Sequence, residues 1–328
     1  MNLIISGMGN VGQALLDILE RQSGAQVSRR HNWANIVAVC DSKGCYETEN
    51  TAPSEIIRLK RAKRLSSLPA ASLESKLKGE AGIFVDLSTA SRDGSRELSG
   101  YLSAIRHGWH IVTANKSPLA NHWTSIMSEA GEHGVMVLFE ATVAGGVPLF
   151  NFVRNCLRES RILRFRGVVS LTANYVLRQV GLGLSLTEAV GMAQKAGIAE
   201  TDYNDDLMGT DAARKTIILA NALFGEGLCL SNFHYEGVGN LMKTRPAEQL
   251  RNYRLITDII REDGGTSVHC GPVQLPEGDF LLGLDQMGLG YEIRTDLNGT
   301  VRVSSAEDTP HETAAAVLND INTLAGLK

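Results

Sequence analysis

The sequence predicts an α/β chain, with a parallel sheet in its amino-terminal part and an α+β part after it. Three observations carry this. Short apolar runs alternate with amphipathic stretches over the first 143 residues. A glycine-rich turn, GMGNVG, follows the first of these runs at once. After Pro148 the strand-like runs become longer and more polar. Short buried runs separated by helices build a parallel sheet covered on both faces.

The first part, residues 1–143, opens on the strand NLIIS, the glycine turn and the helix VGQALLDILERQ. NIVAVC, IFVDLS, HIVTAN and VMVLFE are the further strands, each separated by a helix-like segment. In IVTANKSPLA, Ser117 reads as an N-cap and Pro118 as the first helical residue. The second part, residues 144–305, holds the strand RILRFRGVV and the pair YEIRTD and TVRVSS. Asn298-Gly299 between the last two is a hairpin signal. SLTEAVGMAQKAG carries Ser185 and Glu188 in capping-box spacing, with Gly197 as its stop. TDAARKTIILANALFG reads as a helix with a Thr/Asp cap that ends at Gly225. Residues 306–328 end in the amphipathic stretch HETAAAVLNDINTLAG, expected to pack back on the first part.

Composition narrows the function classes. Hydrophobic residues are 43% and charged residues 21%, a globular balance. The net charge of −4 gives no electrostatic reason for a nucleic-acid or acidic-membrane partner. Five cysteines show no C-x-x-C pair, which predicts reduced thiols in a cytoplasmic protein. The eight histidines lack metal-ligand spacing, so no zinc site is expected. No apolar run is long enough to span a bilayer, and MNLIISGMGN does not read as a signal peptide.

The turn Gly7–Gly12 is G-x-G-x-x-G between a strand and a helix, the context that makes it a dinucleotide fingerprint of a Rossmann-type domain. Gly7 permits the tight turn, Gly9 lets a pyrophosphate approach, and Gly12 lets helix and strand pack. Asn10 and Val11 lie between them, where the helix start offers free N–H groups. Asp41 ends the second strand and can bind the ribose hydroxyls of NAD, though it lies 29 residues past Gly12, more than the usual ~20. Lys43 and the bases of Arg58–Arg64 can equally receive a 2′-phosphate, so NAD and NADP both remain open. Ser88 and Lys116 stand just past the ends of two further strands, where open α/β sheets bind ligands.

AETDYNDDLMGTDAARK, residues 199–215, packs five acids and two bases into seventeen residues. Asp211 and Lys215 are four apart on a helix that continues into the apolar TIILANALF, so they share one face and a partly buried setting. A half-buried lysine beside acids can exchange a proton, which suits oxidation of an alcohol. Clustered carboxylates also suit an ammonium group on the substrate.

GMGNVG, VTANK, EATVAGGVPL and this acidic stretch occur in one chain, in this order, and together resemble homoserine dehydrogenase over most of its length. The resemblance implies interconversion of L-homoserine and L-aspartate 4-semialdehyde by hydride transfer to NAD or NADP. It further implies a second domain for catalysis and homodimerisation. The chain looks like the short form that stops before a regulatory ACT domain. By resemblance Lys215 and Lys116 act at the reacting oxygen, Asp211 holds the hydroxyl, Glu200 binds the amino group, and Asp206 and Thr172 support the substrate. Glu140 with the carbonyls of Val143, Gly145 and Val147 would match a structural sodium site, an oxygen-only set suited to a hard cation.

The family pattern is not kept throughout. SLTANY, residues 170–175, carries Leu171 where the family has glycine, and Ile198 replaces a tyrosine before Glu200. Asp202-Tyr203 replaces Asp-Pro, and Ala306-Glu307-Asp308 replaces a Gly-Ala-Gly. Two alternatives therefore stand beside the main reading. One is a related oxidoreductase for another hydroxy amino acid. The other is a dinucleotide-binding sensor without catalysis.

Overall fold

The computed structural model describes residues 1–24, 34–143, 145–199, 203–307 and 309–326. The chain forms two compact units, Met1–Gly146 with Thr309–Lys328, and Val147–Asp308.

In the first unit the order is β1 (Asn2–Ser6), α1 (Asn10–Gly24), β2 (Asn35–Asp41), β3 (Gly44–Glu47), α2 (Pro53–Arg61), β4 (Ala70–Ala71), α3 (Leu73–Leu77), β5 (Ile83–Asp86), α4 (Ser95–Arg106), β6 (His110–Thr113), α5 (Lys116–Glu132) and β7 (Val137–Leu138). The C-terminal helix, Pro310–Ala325, completes it. The sheet order is β4-β3-β2-β1-β5-β6-β7. β1 pairs in parallel with β2 and β5, and β6 joins β5 to β7 in the same sense. This is the doubly wound arrangement the alternating runs predict. One edge differs: β3 and β4 run antiparallel, folding back from β2 after Ser42-Lys43.

The core of this unit is aliphatic. Leu3, Ile5, Val39, Ile83, Val85 and Val112 are fully buried with Leu15 and Leu16 of α1 and Val317 and Ile321 of the C-terminal helix. Burying each such side chain is worth about 1.5–3 kcal/mol relative to exposure. The helix therefore belongs to the core of the first unit although residues 139–309 separate it from β7.

The hairpin overturns the expectation that all cysteines are reduced. Cys40 and Cys45 are direct cross-strand partners and form a disulfide. No C-x-x-C announced it; the antiparallel register brings the two together. Cys156, Cys229 and Cys270 are free thiols.

The second unit contains α6 (Phe150–Cys156), β8 (Ile162–Val168), α7 (Leu171–Gly181), α8 (Leu186–Lys195), α9 (Asn204–Leu207), α10 (Thr210–Leu219), α11 (Gly239–Thr244), α12 (Ala247–Leu250), β9 (Tyr253–Glu262), β10 (Gly265–Gln274), β11 (Leu289–Thr295) and β12 (Thr300–Ser305). Its sheet runs β10-β9-β8-β11-β12, and all its pairings are antiparallel. β9 and β10 were not read from the sequence, although Asp263-Gly264 marks their two-residue turn. One face of the sheet is apolar, with Phe165, Ile259, Tyr291 and Ile293 buried. The other carries a charged ladder: Arg164 on Asp258 at 2.5 Å, and Arg166 and Arg302 on Glu292 at 3.7 and 2.8 Å.

Two caps differ from their sequence reading. Asn115, not Ser117, caps α5 by accepting the Ser117 amide at 3.2 Å. Gly209, at φ +82°, precedes α10, so Thr210 and Asp211 fall in its first turn. The Ser185–Glu188 capping box is present, and Gly197 and Gly225 adopt positive φ where those helices stop. Among the described residues no helix is long and apolar enough to cross a membrane.

Candidate active site

The glycine turn has three different glycines. A Cβ on Gly7, at φ +100°, would lie 2.2 Å from the Leu87 carbonyl carbon, so β1 and β5 can converge only on glycine. A Cβ on Gly12 would lie 2.1 Å from the Gly7 oxygen, so α1 can close on the turn only there. Around Gly9 nothing lies within 4 Å of that position. Gly9 and Asn10 are exposed, and Asn10 and Val11 open α1. The result is a turn closed at both ends and open in its middle, a cradle beside the N–H groups of a helix start.

Asp41 ends β2 beside this cradle. Its carboxylate accepts the Lys43 amide at 2.8 Å and Lys60 Nζ at 2.6 Å. Burial alone would raise its pKa; the Lys60 ammonium and the Lys43 and Gly44 amides outweigh that and hold it below the ordinary carboxylate value. Of the bases in the Arg58–Arg64 stretch, the fold thus selects Lys60. Arg61 Nε reaches Gln13 Oε1 on α1 at 3.2 Å.

Ser88 and Lys116 follow β5 and β6, adjacent parallel strands, so their loops leave the same sheet edge. Asn115 Nδ2 spans them, 3.4 Å from the Ser88 carbonyl and hydroxyl oxygens. Lys116 is the first residue of α5 and is half-buried.

In the second unit α10 presents Asp211 and Lys215 on one face. Lys215 Nζ is 2.9 Å from Asp211 Oδ2 and donates to the Val169 carbonyl at 2.6 Å. The side chains are only 13% and 16% exposed, which separates this pair from a solvated surface ion pair. Asp206 sits on α9, directly before the Gly209 turn. Asp205 pairs instead with Arg214 at 3.0 Å and is 65% exposed, as a loop acid would be. Thr172 is buried in the first turn of α7, and its hydroxyl donates to the Ile198 carbonyl at 3.0 Å. That bond ties α7 to the residues just before Glu200, which itself lies outside the described residues.

The segment 236–237 holds the acidic stretch in place, a feature sequence reasoning missed. A Cβ on Gly237 would lie 2.2 Å from the Leu207 oxygen, and one on Gly209 would lie 2.9 Å from the Glu236 oxygen. The only sequence signal was the glycine pair in YEGVG. The Val169 carbonyl, a backbone partner, left no signal at all.

Glu140 is 2% exposed in a 3-10 turn, and its amide donates to Asp320 of the C-terminal helix at 2.8 Å. Val143 follows in the same turn and Gly145 has φ +53°. In the second unit, the Val147 carbonyl accepts the Tyr291 hydroxyl at 3.1 Å, leaving one lone pair for another partner.

Comparison with known proteins points to one family. Residues 148–322 match the family description "Homoserine dehydrogenase", and residues 7–140 match "Homoserine dehydrogenase, NAD binding domain". A homoserine dehydrogenase of Sulfurisphaera tokodaii is 29% identical over 324 residues, covering 98% of this chain and 97% of that one. The crystal structure of a homoserine dehydrogenase from Thermoplasma acidophilum superposes with a TM-score of 0.88 at 42% identity, covering 99% of each chain. A hyperthermophilic archaeal homoserine dehydrogenase in complex with NADPH gives 0.80 at 26% identity, covering 99% of this chain and 98% of that one.

Proposed function

Because the chain belongs to the homoserine dehydrogenase family, whose members interconvert L-homoserine and L-aspartate 4-semialdehyde with NAD(P), we propose that Lys215 carries the proton of that reaction. The observation behind this is the buried Lys215–Asp211 pair, with Nζ fixed a second time by the Val169 carbonyl. A lysine held from two directions keeps its nitrogen in one place. That is the requirement for a general base acting on an alcohol. Asp211 orients the substrate hydroxyl and balances the ammonium form of Lys215. Glu200 binds the substrate ammonium, Asp206 supports the site, and Thr172 fixes the segment that leads to Glu200. Lys116 is proposed to serve the reacting oxygen as well.

The dinucleotide, when bound, supplies the hydride acceptor or donor. Gly7, Gly9, Asn10, Val11 and Gly12 would hold its pyrophosphate, and Ser88 and Lys116 would hold its nicotinamide half. We infer that both NAD and NADP are accepted. Asp41 suits ribose hydroxyls, while Lys60, already on the Asp41 carboxylate, suits a 2′-phosphate. Glu140 with the carbonyls of Val143, Gly145 and Val147 is proposed to hold a structural sodium ion, to which the buried Glu140 carboxylate and carbonyl donors are matched. A homodimer through the charged sheet face of the second unit, and residence in the cytoplasm, complete the proposal.

A substrate panel tests it. L-homoserine should exceed L-serine and L-threonine in kcat/KM by roughly a hundredfold, the scale on which a site built for one polar substrate rejects a misfit. Preference for another hydroxy amino acid would assign Leu171 and Ile198 to a changed specificity. Cofactor binding without turnover of any alcohol would favour a sensor.

A further inference from the structure

Behind the glycine turn and Lys116 lies a buried hydrogen-bond chain that the reaction itself does not use. Asp86, the last residue of β5, is 2% exposed. Its Oδ1 accepts the Ser88 amide at 3.0 Å, and its Oδ2 accepts the Tyr101 hydroxyl at 2.8 Å. That hydroxyl is also 2.7 Å from Thr113 Oγ1, at the end of β6. Thr113 Oγ1 accepts the Asn115 amide at 2.8 Å, and Asn115 in turn caps α5, where Lys116 begins. One chain of oxygens thus connects the Ser88 loop to the Lys116 loop.

With Asp86 ionised, Tyr101 donates to its carboxylate. The Thr113 hydroxyl lies 2.7 Å from the Tyr101 oxygen and 3.2 Å from the Asp86 backbone carbonyl, so its one proton goes to an oxygen of the same cluster in either case. The Tyr101 ring is fully buried against Phe84, with centroids 6.2 Å apart. Phenylalanine would fill that space equally well. A buried hydroxyl costs free energy unless it is paired, so this one is explained by the chain and not by packing. Burial pushes the Asp86 carboxyl up, and the Ser88 and Tyr101 donors oppose that shift.

We propose that Tyr101 is a positioning residue for the nicotinamide half of the cofactor, acting through Asp86 and Thr113 on the Ser88 and Lys116 loops. The proposal rests on the reading above that those loops serve the nicotinamide. The pyrophosphate turn has an anchor outside this chain, Gly7 N on the Cys40 oxygen of β2 at 2.9 Å. Loss of the Tyr101 hydroxyl therefore acts more on the nicotinamide half of the cofactor than on the pyrophosphate. Gly94 adds to the coupling of the loops: a Cβ there, at φ +76°, would lie 2.6 Å from Pro118, so the loop after β5 rests directly on the start of α5.

The test compares two ligands. Dissociation constants of NADH and of ADP-ribose, which lacks the nicotinamide, are measured by titration for wild type, Tyr101→Phe, Thr113→Val and Thr113→Ser. The ratio of the two constants should rise roughly tenfold in Tyr101→Phe and Thr113→Val, the scale of one charge-assisted hydrogen bond. It should stay near wild type in Thr113→Ser, which keeps the hydroxyl. An unchanged ratio, whether both ligands weaken together or neither does, would overturn the proposal. If Tyr101→Phe shows no cooperative melt, the Thr113 pair decides alone. Absence of homoserine turnover in the wild type would sink the assigned reaction while leaving the ratio readable.

Discussion

Replacing Gly9 by alanine separates binding from folding at the cofactor cradle. The added methyl meets nothing within 4 Å, and Gly9 does not have the positive φ of Gly7. The folded protein should therefore tolerate it. The unfolded chain loses some freedom, so stability should hold or rise by up to ~0.4–1 kcal/mol, which is about 1–4 °C for a protein of this size. A pyrophosphate oxygen, however, must come within hydrogen-bond distance of the backbone N–H groups that follow Gly9. A methyl placed there blocks that approach and forfeits one or two charged hydrogen bonds of about 1.5–3 kcal/mol each, so Kd should rise at least tenfold. Fluorescence titration with NADH and NADPH reads the affinity, and thermal unfolding reads the fold. Gly12→Ala is the contrast: its methyl would overlap the Gly7 oxygen at 2.1 Å, so it should lower the melting temperature as well. An unchanged Kd in a well-folded Gly9→Ala protein would mean the cradle is not the pyrophosphate site.

Further outcomes follow from the same geometry. Lys60→Met should raise KM for NADP roughly tenfold and leave NAD within about threefold, the loss expected of one charged contact to phosphate; equal effects on both would remove Lys60 from the 2′-phosphate. The Asp41–Lys60 pair also sets a pH dependence. The folded Asp41 pKa lies below its ordinary 3.8, so the pair's contribution is present above that value and is lost as pH falls through the folded pKa. The melting difference between wild type and Lys60→Met, about 1–2 °C at pH 6 for a partly exposed pair, should shrink as pH is taken below 3.8 and through the folded pKa. Gly237→Ala should move the 206–211 segment and lower kcat/KM about tenfold or more, because the methyl has no room beside the Leu207 oxygen. Gly239→Ala, with 3.6 Å to the same oxygen, is the control and should change little. Thiol titration in denaturant should find three free cysteines without reductant and five with it. Five in both cases would refute the Cys40–Cys45 bond.

The doubly wound unit was legible because its strands are buried on both faces, which leaves unbroken apolar runs such as NLIIS and NIVAVC. The glycine turn was legible for a different reason. Each glycine answers a separate steric demand, and only that residue meets it. β9 and β10 were missed although Asp-Gly marks their turn, because the alternation of GTSVHC is carried by few apolar residues and the buried half of β9 includes the polar Arg254 and Thr257. The Asp211–Lys215 pair showed in its i, i+4 spacing. Its part-burial showed in the apolar TIILANALF that follows, whereas the Val169 carbonyl that holds Lys215 is distant in sequence and did not show. Tyr101, Gly237 and Lys60 act through contacts 12 to 30 residues away, and nothing local distinguishes them from ordinary core, turn and surface residues.

The most direct test of the central claim is oxidation of L-homoserine with NAD and with NADP, wild type beside Lys215→Ala. The wild type should turn over with both. The variant should lose roughly 10²–10⁴-fold in kcat, the span of a general base, while its affinity for the reduced cofactor stays within about twofold. Turnover that survives the loss of Lys215 would contradict the account, because the proton would then leave the alcohol by another route.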